Sequence, residues 1–308
     1  MTIKVLKTGL QTTVQDLGRM GSKHIGVPQS GSFDYFAAAK ANAILNRPIN
    51  SAVLECTMTG PTLKFLEDME VCITGAAINQ IRIDDSSIDQ NKLLHIKKGS
   101  ILSTDTVKHN LRFYIAFSKN IQATHFLNSV STYLPAKFGG LNGATIQKGQ
   151  MIDFNEAQSE EYIGDPWIDN SERIDISKIR VTKGPEFNLL NTSIELFETD
   201  FIVSNDSNRM GIRTVENKIS INDRGSMMSK PVYPGTVQCP PDGLPIILGA
   251  DAQTLGGYPR ILQVIKADRH LLGQMRPNDH FRFELISIPE ALDAWENLKK
   301  NYPFVCEL

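Results

Sequence analysis

Short apolar and β-branched runs, separated by Gly, Pro, Asn or Asp, recur along most of the chain. Examples are Ile3 to Leu6, Glu70 to Thr74, Ile81 to Ile83, Leu93 to Ile96, Leu111 to Phe117 and Ile246 to Leu248. Such runs bounded by turn-formers predict strands, so the chain reads as mainly β with a few short helices. Two stretches break the rhythm. Residues 33–46, F-D-Y-F-A-A-A-K-A-N-A-I-L-N, read as a helix capped by Ser32, with Asp34 at the positive end of the dipole and Arg47-Pro48 stopping it. The other helix closes the chain: Pro289 suits a first turn, Leu292, Trp295 and Leu298 share a face, and Lys299 and Lys300 sit at the negative end.

Between Asp153 and Asp175 eight acidic residues face the single base Arg173, which reads as a solvated linker. It divides the sequence into an N-terminal β lobe at 1–155, an acidic linker at 156–175 and a C-terminal β lobe with a closing helix at 176–308. The lobes look alike at their edges: I-K-V-L-K-T-G at Ile3 to Gly9 parallels I-R-V-T-K-G at Ile179 to Gly184, and Gln147 to Phe154 parallels Met275 to Phe283. Two similar lobes, or chance strand-like strings in one continuous sheet, both fit these matches.

Composition then narrows the function. With 308 residues, 41% of them hydrophobic, the chain buries a sizeable core, and a net charge of −2 supplies no positive field for nucleic acid or anionic lipid. The first thirty residues are too polar for a signal peptide, and no apolar run reaches the roughly 18 residues of a membrane span, so a cytoplasmic protein is expected. Cys56, Cys72, Cys239 and Cys306 are far apart and the six histidines are scattered, so no metal site or disulfide framework is expected.

Residues 234–260 hold the densest set of turn-forming and polar groups. Two loops there flank a buried strand at Leu244 to Gly249, and the second loop carries Asp251, Gln253, Thr254, Gly256, Gly257 and Tyr258. Together these offer an acceptor, an amide, a hydroxyl and exposed backbone N–H groups; an ordinary Gly-Gly-Tyr-Pro turn is the plainer reading. In S-N-D-S-N-R-M-G-I-R, residues 204–213, Arg209 and Arg213 could each grip a carboxylate or phosphate with a planar guanidinium, or bond loop carbonyls. Thr8 to Arg19 and Gly26 to Asp34 form Gly-punctuated loops leading into the first helix, whose N-terminus could take an anion; alternatively Ser30-Gly31-Ser32 is a turn with a cap and Asp16 pairs with Arg19. Phosphate-loop, dinucleotide and zinc-hydrolase motifs are missing.

Four stretches in order, T-G-L-Q-T-T-V-Q-D-L-G-R, G-V-P-Q-S-G-S-F-D, L-E-C-T-M-T-G-P-T-L-K-F and D-A-Q-T-L-G-G-Y-P, resemble the biotin-dependent carboxyltransferase family, over about Val5 to Phe283. The resemblance implies a mainly β protein of two cyclophilin-like barrel lobes. It further implies a non-autonomous subunit working with a KipI-like partner, the B-type component of 5-oxoprolinase, in ATP-dependent opening of 5-oxoproline to glutamate. An A-type component completes that assembly. Two other roles occur among relatives: carboxyl transfer to a urea-like substrate, and non-catalytic antagonism of KipI. No cofactor motif lies in the chain itself, so ATP would enter through the complex and biotin, where used, on a carrier in trans. On this resemblance Arg209 would hold a carboxylate, Gln253, Thr254 and the Gly256-Gly257 amides would stabilise negative charge, and Asp251 or Tyr258 would orient the loop. Arg213, Gln238, Asp242, Asp16, Arg19, Ser30 and Asp34 fall at motif positions as binding candidates.

The chain departs from the family pattern at Ser118-Lys119-Asn120, at Val130 and Ala252 where relatives carry arginine, and at Ala144. Each lost cation removes charge-assisted hydrogen bonds of about 1.5–3 kcal/mol, which puts the substrate, and catalysis itself, in question.

Overall fold

The computed structural model describes residues 2–157, 173–191, 193–222 and 227–307. The acidic stretch read as a linker lies largely outside the described residues. The chain forms two compact units. The first comprises residues 1–19, 30–174 and 299–308, and the second residues 20–29 and 175–298.

The first unit consists of two antiparallel sheets. Seven strands, ordered Asn120–Ile121, Met151–Asn155, Thr2–Lys7, Thr62–Phe65, Ile101–Thr104, Ile81–Ile83 and Ser86–Ser87, form one. The other has five: Gln11–Gln15, Val53–Thr57, Arg112–Phe117, Met69–Gly75 and Leu93–Ile96. Ile3, Val5, Leu63, Phe65 and Leu102 of the first sheet share a core with Leu54, Val71, Ile73, Phe113, Ile115 and Phe117 of the second.

Strand Arg112–Phe117 is buried along its whole length. Its alternate residues serve opposite faces: Phe113, Ile115 and Phe117 enter the shared core, while Tyr114 and Ala116 pack against Ala37, Ala38, Ala41 and Ile44 of helix Tyr35–Ile44. The alanine-rich helix sequence permits this close approach. Asp34 caps the helix by accepting from the Ala37 N–H at 2.9 Å. The expected cap, Ser32, lies two residues too early to reach an orphan donor.

A buried polar network holds the loop before that cap. Glu55 Oε2 accepts from the Phe33 N–H at 2.8 Å and the Tyr114 hydroxyl at 2.9 Å, and that hydroxyl accepts from the Asp34 N–H at 2.8 Å. Arg112 supplies the counter-charge to Glu55 at 3.6 Å, with its guanidinium 4.7 Å from the Phe33 ring centroid. Burial, reinforced by the charges of Glu55 and Asp34, pushes the Tyr114 phenol well above its ordinary range, so it stays a donor.

In the second unit seven strands close a barrel: Lys178–Lys183, Arg260–Val264, Thr236–Gln238, Ile246–Leu248, Gly211–Val215, Phe201–Val203 and His280–Leu285. Phe281 and Phe283 alternate inward with Phe201 to form an aromatic trio with centroids 5.3–5.7 Å apart. The look-alike edges noted above are the first and last strands of each unit. Thr2–Lys7 pairs antiparallel with Met151–Asn155, whereas Lys178–Lys183 pairs parallel with His280–Leu285 and thereby closes the barrel. Helix Ile288–Asn301 follows, with no residue buried. No helix among the described residues is long and apolar enough to cross a membrane.

Tyr114→Phe strips a buried N–H and a buried carboxylate of one partner each, and is expected to cost about 1–3 kcal/mol in urea unfolding. An unchanged midpoint would show that the network does not hold the loop.

Candidate functional site

Strand Ile246–Leu248 runs into the loop that the sequence singles out, and a buried ion pair fixes the loop's origin. Arg209 donates from Nε to Asp251 Oδ2 at 2.8 Å and from Nη2 to Oδ1 at 3.0 Å, and the Asp251 N–H returns a bond to the Arg209 carbonyl at 2.9 Å. Both side chains are over nine-tenths buried. Arg209 therefore spends its fork on Asp251, and neither residue lines the cavity beyond them. Ala252, next in line, is buried against Val232 and Leu248.

Past this pin, Gln253 and residues 255–259 wall a cavity of about 530 Å³. Gln238, from strand Thr236–Gln238, meets Gln253, Gly256, Gly257 and Tyr258 there, so five of the sequence candidates are brought together. Gln238 Nε2 donates to the Tyr258 carbonyl at 3.2 Å, and Gln253 Nε2 donates to Gln238 Oε1 at 3.5 Å. Glycine at 256 leaves room for this amide, because a Cβ there would stand 2.5 Å from Gln238 Nε2 and displace it. Cys239, Pro241, Ile221 and Met227 complete the wall; they are too ordinary in type and too scattered along the chain for sequence reasoning to find them. Among the described residues no Lys, Arg, Asp or Glu lines the cavity.

A two-stranded ribbon, Lys230–Pro231 against Leu255–Gly256, forms the rim. Arg260 braces it, donating from Nη1 to the Pro231 carbonyl at 2.9 Å while Nε and Nη2 grip Glu186 at 2.8 Å each. Those bonds from Arg260 hold the Glu186 carboxyl below the ordinary 4.5. Nothing in the local sequence links two residues 74 positions apart.

The remaining candidates serve elsewhere. Thr254 is half-buried, and its carbonyl accepts from the Val232 N–H at 3.1 Å. Asp242 closes its own turn on the Leu244 N–H at 3.0 Å, and Arg213 lies exposed on a barrel strand. Asp16, Arg19, Ser30 and Asp34 belong to the first unit. There Asp16 accepts from the Ser129 hydroxyl at 2.7 Å, the Ser131 hydroxyl at 2.5 Å and the Val130 N–H at 2.8 Å. Arg19 donates to the Ser131 carbonyl and stacks 4.6 Å from the Phe138 ring centroid. Ser30 is buried with φ 56°, and Asp34 is committed to the helix cap.

A larger cavity of about 920 Å³ opens in the first unit beside Asp16. Asn120 and Val130, two positions read from the sequence as departures from the family pattern, line it together with Asn128. The described residues contain no group of three His, Cys, Asp or Glu side chains arranged to hold a metal.

The mainly β chain with its closed seven-stranded barrel has the fold of a carboxyltransferase domain. Residues 25–285 match the family described as "Carboxyltransferase domain, subdomain A and B", and the chain belongs to it. It is 32% identical over 292 residues to the 5-oxoprolinase C subunit of Haemophilus influenzae, covering 94% of this chain and 93% of that protein. Against the 5-oxoprolinase C subunit of Escherichia coli the identity is 30% over 302 residues, covering 97% and 96% respectively. The solved Kluyveromyces lactis urea carboxylase superposes with a TM-score of 0.89 at 26% identity, over 98% of this chain but 29% of that one.

Asp251→Ala leaves the Arg209 guanidinium buried without its carboxylate and is expected to cost about 3–5 kcal/mol by denaturant unfolding; exchanging both partners for apolar residues should recover much of the loss. A cost under about 1 kcal/mol would mean the pair does not anchor the loop.

Because the folded-state pKa of Glu186 lies below its unfolded value, the Arg260 bridge contributes stability above about pH 4.5 and loses it as pH falls through the folded value. Glu186→Gln should therefore flatten this part of the acid limb of a stability–pH profile. An identical limb in the variant would count against the bridge.

Proposed function

We propose that the chain is the C-type component of a 5-oxoprolinase assembly, acting with a KipI-like B-type partner and an A-type protein to open 5-oxoproline to glutamate at the expense of ATP. The observation that carries this reading is reciprocal coverage. The chain runs nearly end to end along two 5-oxoprolinase C subunits, whereas it spans 17% of the Saccharomyces cerevisiae urea amidolyase, to which it is 27% identical.

The cavity chemistry supports it. A lactam presents one carbonyl acceptor and one N–H donor side by side, and the Gln238 and Gln253 amides, with the Gly256-Gly257 backbone, offer the complementary donors and acceptors. Ring opening adds water to the lactam carbonyl carbon and breaks the C–N bond, the nitrogen taking a proton to become the amine. Negative charge develops on the carbonyl oxygen during the addition, where preorganised amide N–H groups stabilise it most. Tyr258, by its carbonyl, holds the Gln238 amide in position. The described cavity lining carries no cation and does not fit a triphosphate, so ATP use is assigned to the assembly.

A second reading, carboxyl transfer to a urea-like substrate, is favoured by the close superposition on urea carboxylase. The same amide pair fits a ureido ring, so Gln238 and Gln253 would hold carrier-borne biotin, which supplies an activated carboxyl group.

The test is to coexpress the chain with the two other components and measure glutamate formed from 5-oxoproline with ATP present or omitted. ATP-dependent glutamate is expected, falling about 10²–10³-fold in Gln253→Ala if that amide faces the developing charge. A stable complex that makes no glutamate but consumes carboxylated carrier would replace this reading with the second.

A further inference from the structure

We propose that Lys23 and Arg269, in the second unit, form a binding site for a small oxyanion, a carboxylate or a phosphate, that none of the motifs above predicts. Lys23 lies in the single 3₁₀ turn Ser22–Ile25, where the Gly26 N–H donates to its carbonyl at 3.0 Å. Its Nζ is buried with no hydrogen-bond partner and sits 4.7 Å from the centroid of the Tyr233 ring. Arg269 belongs to the 3₁₀ helix Lys266–Gln274, which is locked in place because the preceding residue, Asp268, accepts from the Arg180 N–H at 2.9 Å, from Nε at 3.0 Å and from Nη2 at 2.5 Å. Arg269 Nε is likewise buried without a hydrogen-bond partner. Its stem lies along Gly235, where a Cβ would come within 3.2 Å of Cγ and Cδ and 2.8 Å from Gln263 Nε2.

Lys23, over the Tyr233 ring, and Arg269, along Gly235, thus lie against one turn, closed by the Thr236 N–H donating to the Tyr233 carbonyl at 3.0 Å, each with a buried N–H donor unused. Proteins rarely bury like charges together without a counter-charge, because desolvation and repulsion add. Both effects register on Lys23: burial first, and the Arg269 charge second, lower its ammonium to about 8. An oxyanion lying between the two side chains would take up both unused donors and relieve the repulsion, and the fork of Arg269 suits a planar or tetrahedral oxygen pair. The site also adjoins the cavity rim in sequence: Tyr233 follows Val232, whose N–H donates to Thr254, and Lys230–Pro231 pairs with Leu255–Gly256. The inference does not depend on which reaction the assembly performs.

The full chain, its lysines reductively ¹³C-methylated, is titrated by NMR at constant ionic strength, with Lys23→Met identifying the Lys23 signal. Without added oxyanion the Lys23 midpoint is expected near 8. Acetate and inorganic phosphate are then added in separate arms. A rise of about one unit or more in either arm supports the site, and the arm that responds identifies carboxylate or phosphate as its ligand. Arg269→Gln is expected to raise the midpoint before any anion is added and to abolish the anion response. No movement in either arm, or a response that survives intact in Arg269→Gln, overturns the proposal.

Discussion

The cavity of the second unit depends on the burial of one arginine–aspartate pair. Arg209 and Asp251 are taken out of water together, and their two parallel hydrogen bonds, with the backbone bond from Asp251 to Arg209, leave one arrangement in which both charges are satisfied. This joins the turn before strand Gly211–Val215 to the exit of strand Ile246–Leu248. Residues 253–259 contain two glycines and a regular pairing of only Leu255–Gly256, so their conformational freedom would otherwise be large. Anchored at Asp251, held at Thr254 by Val232 and braced through Arg260, the loop has to return past Gln238, and the amide pair follows from that path.

Charge and chemistry are divided between different residues in both units. In the second, Arg209, Asp251, Arg260 and Glu186 hold the frame while the described cavity lining is neutral. In the first, Asp16, Glu55 and Arg19 are directed to backbone groups and to one another's neighbours, fixing loops to sheets. A framework of charged groups around a neutral cavity has a physical rationale: fixed dipoles act on a developing charge without the desolvation cost that a buried ion would impose on the resting site.

At positions 130 and 252, where the resemblance implies arginine in relatives, this chain holds residues that pack. Val130 is buried and offers its N–H to Asp16, and Ala252 fills a small apolar cluster with Val232 and Leu248. An arginine in either place would need a counter-charge or a route to solvent. Binding in the 920 Å³ cavity would have to rely on Asn120, Asn128 and their neighbours.

Much was legible in the one-dimensional pattern. Period-two alternation in His280–Leu285 and Thr2–Lys7, and the Ala-rich run after Asp34, determined these elements because each records which face will be buried. The Gly-Gly loop with its polar residues marked the cavity wall, since the need for a side-chain-free backbone is written in the residue itself. Tertiary structure decided the rest. Whether first and last strands pair antiparallel or parallel depends on how each sheet closes, to which look-alike edges are indifferent. The roles of Arg209 and Asp16, the Glu186 brace on Arg260 and the placing of Lys23 and Arg269 against one turn all rest on partners far apart along the chain. A charged side chain declares that it needs a partner, and only the folded chain determines which one it finds.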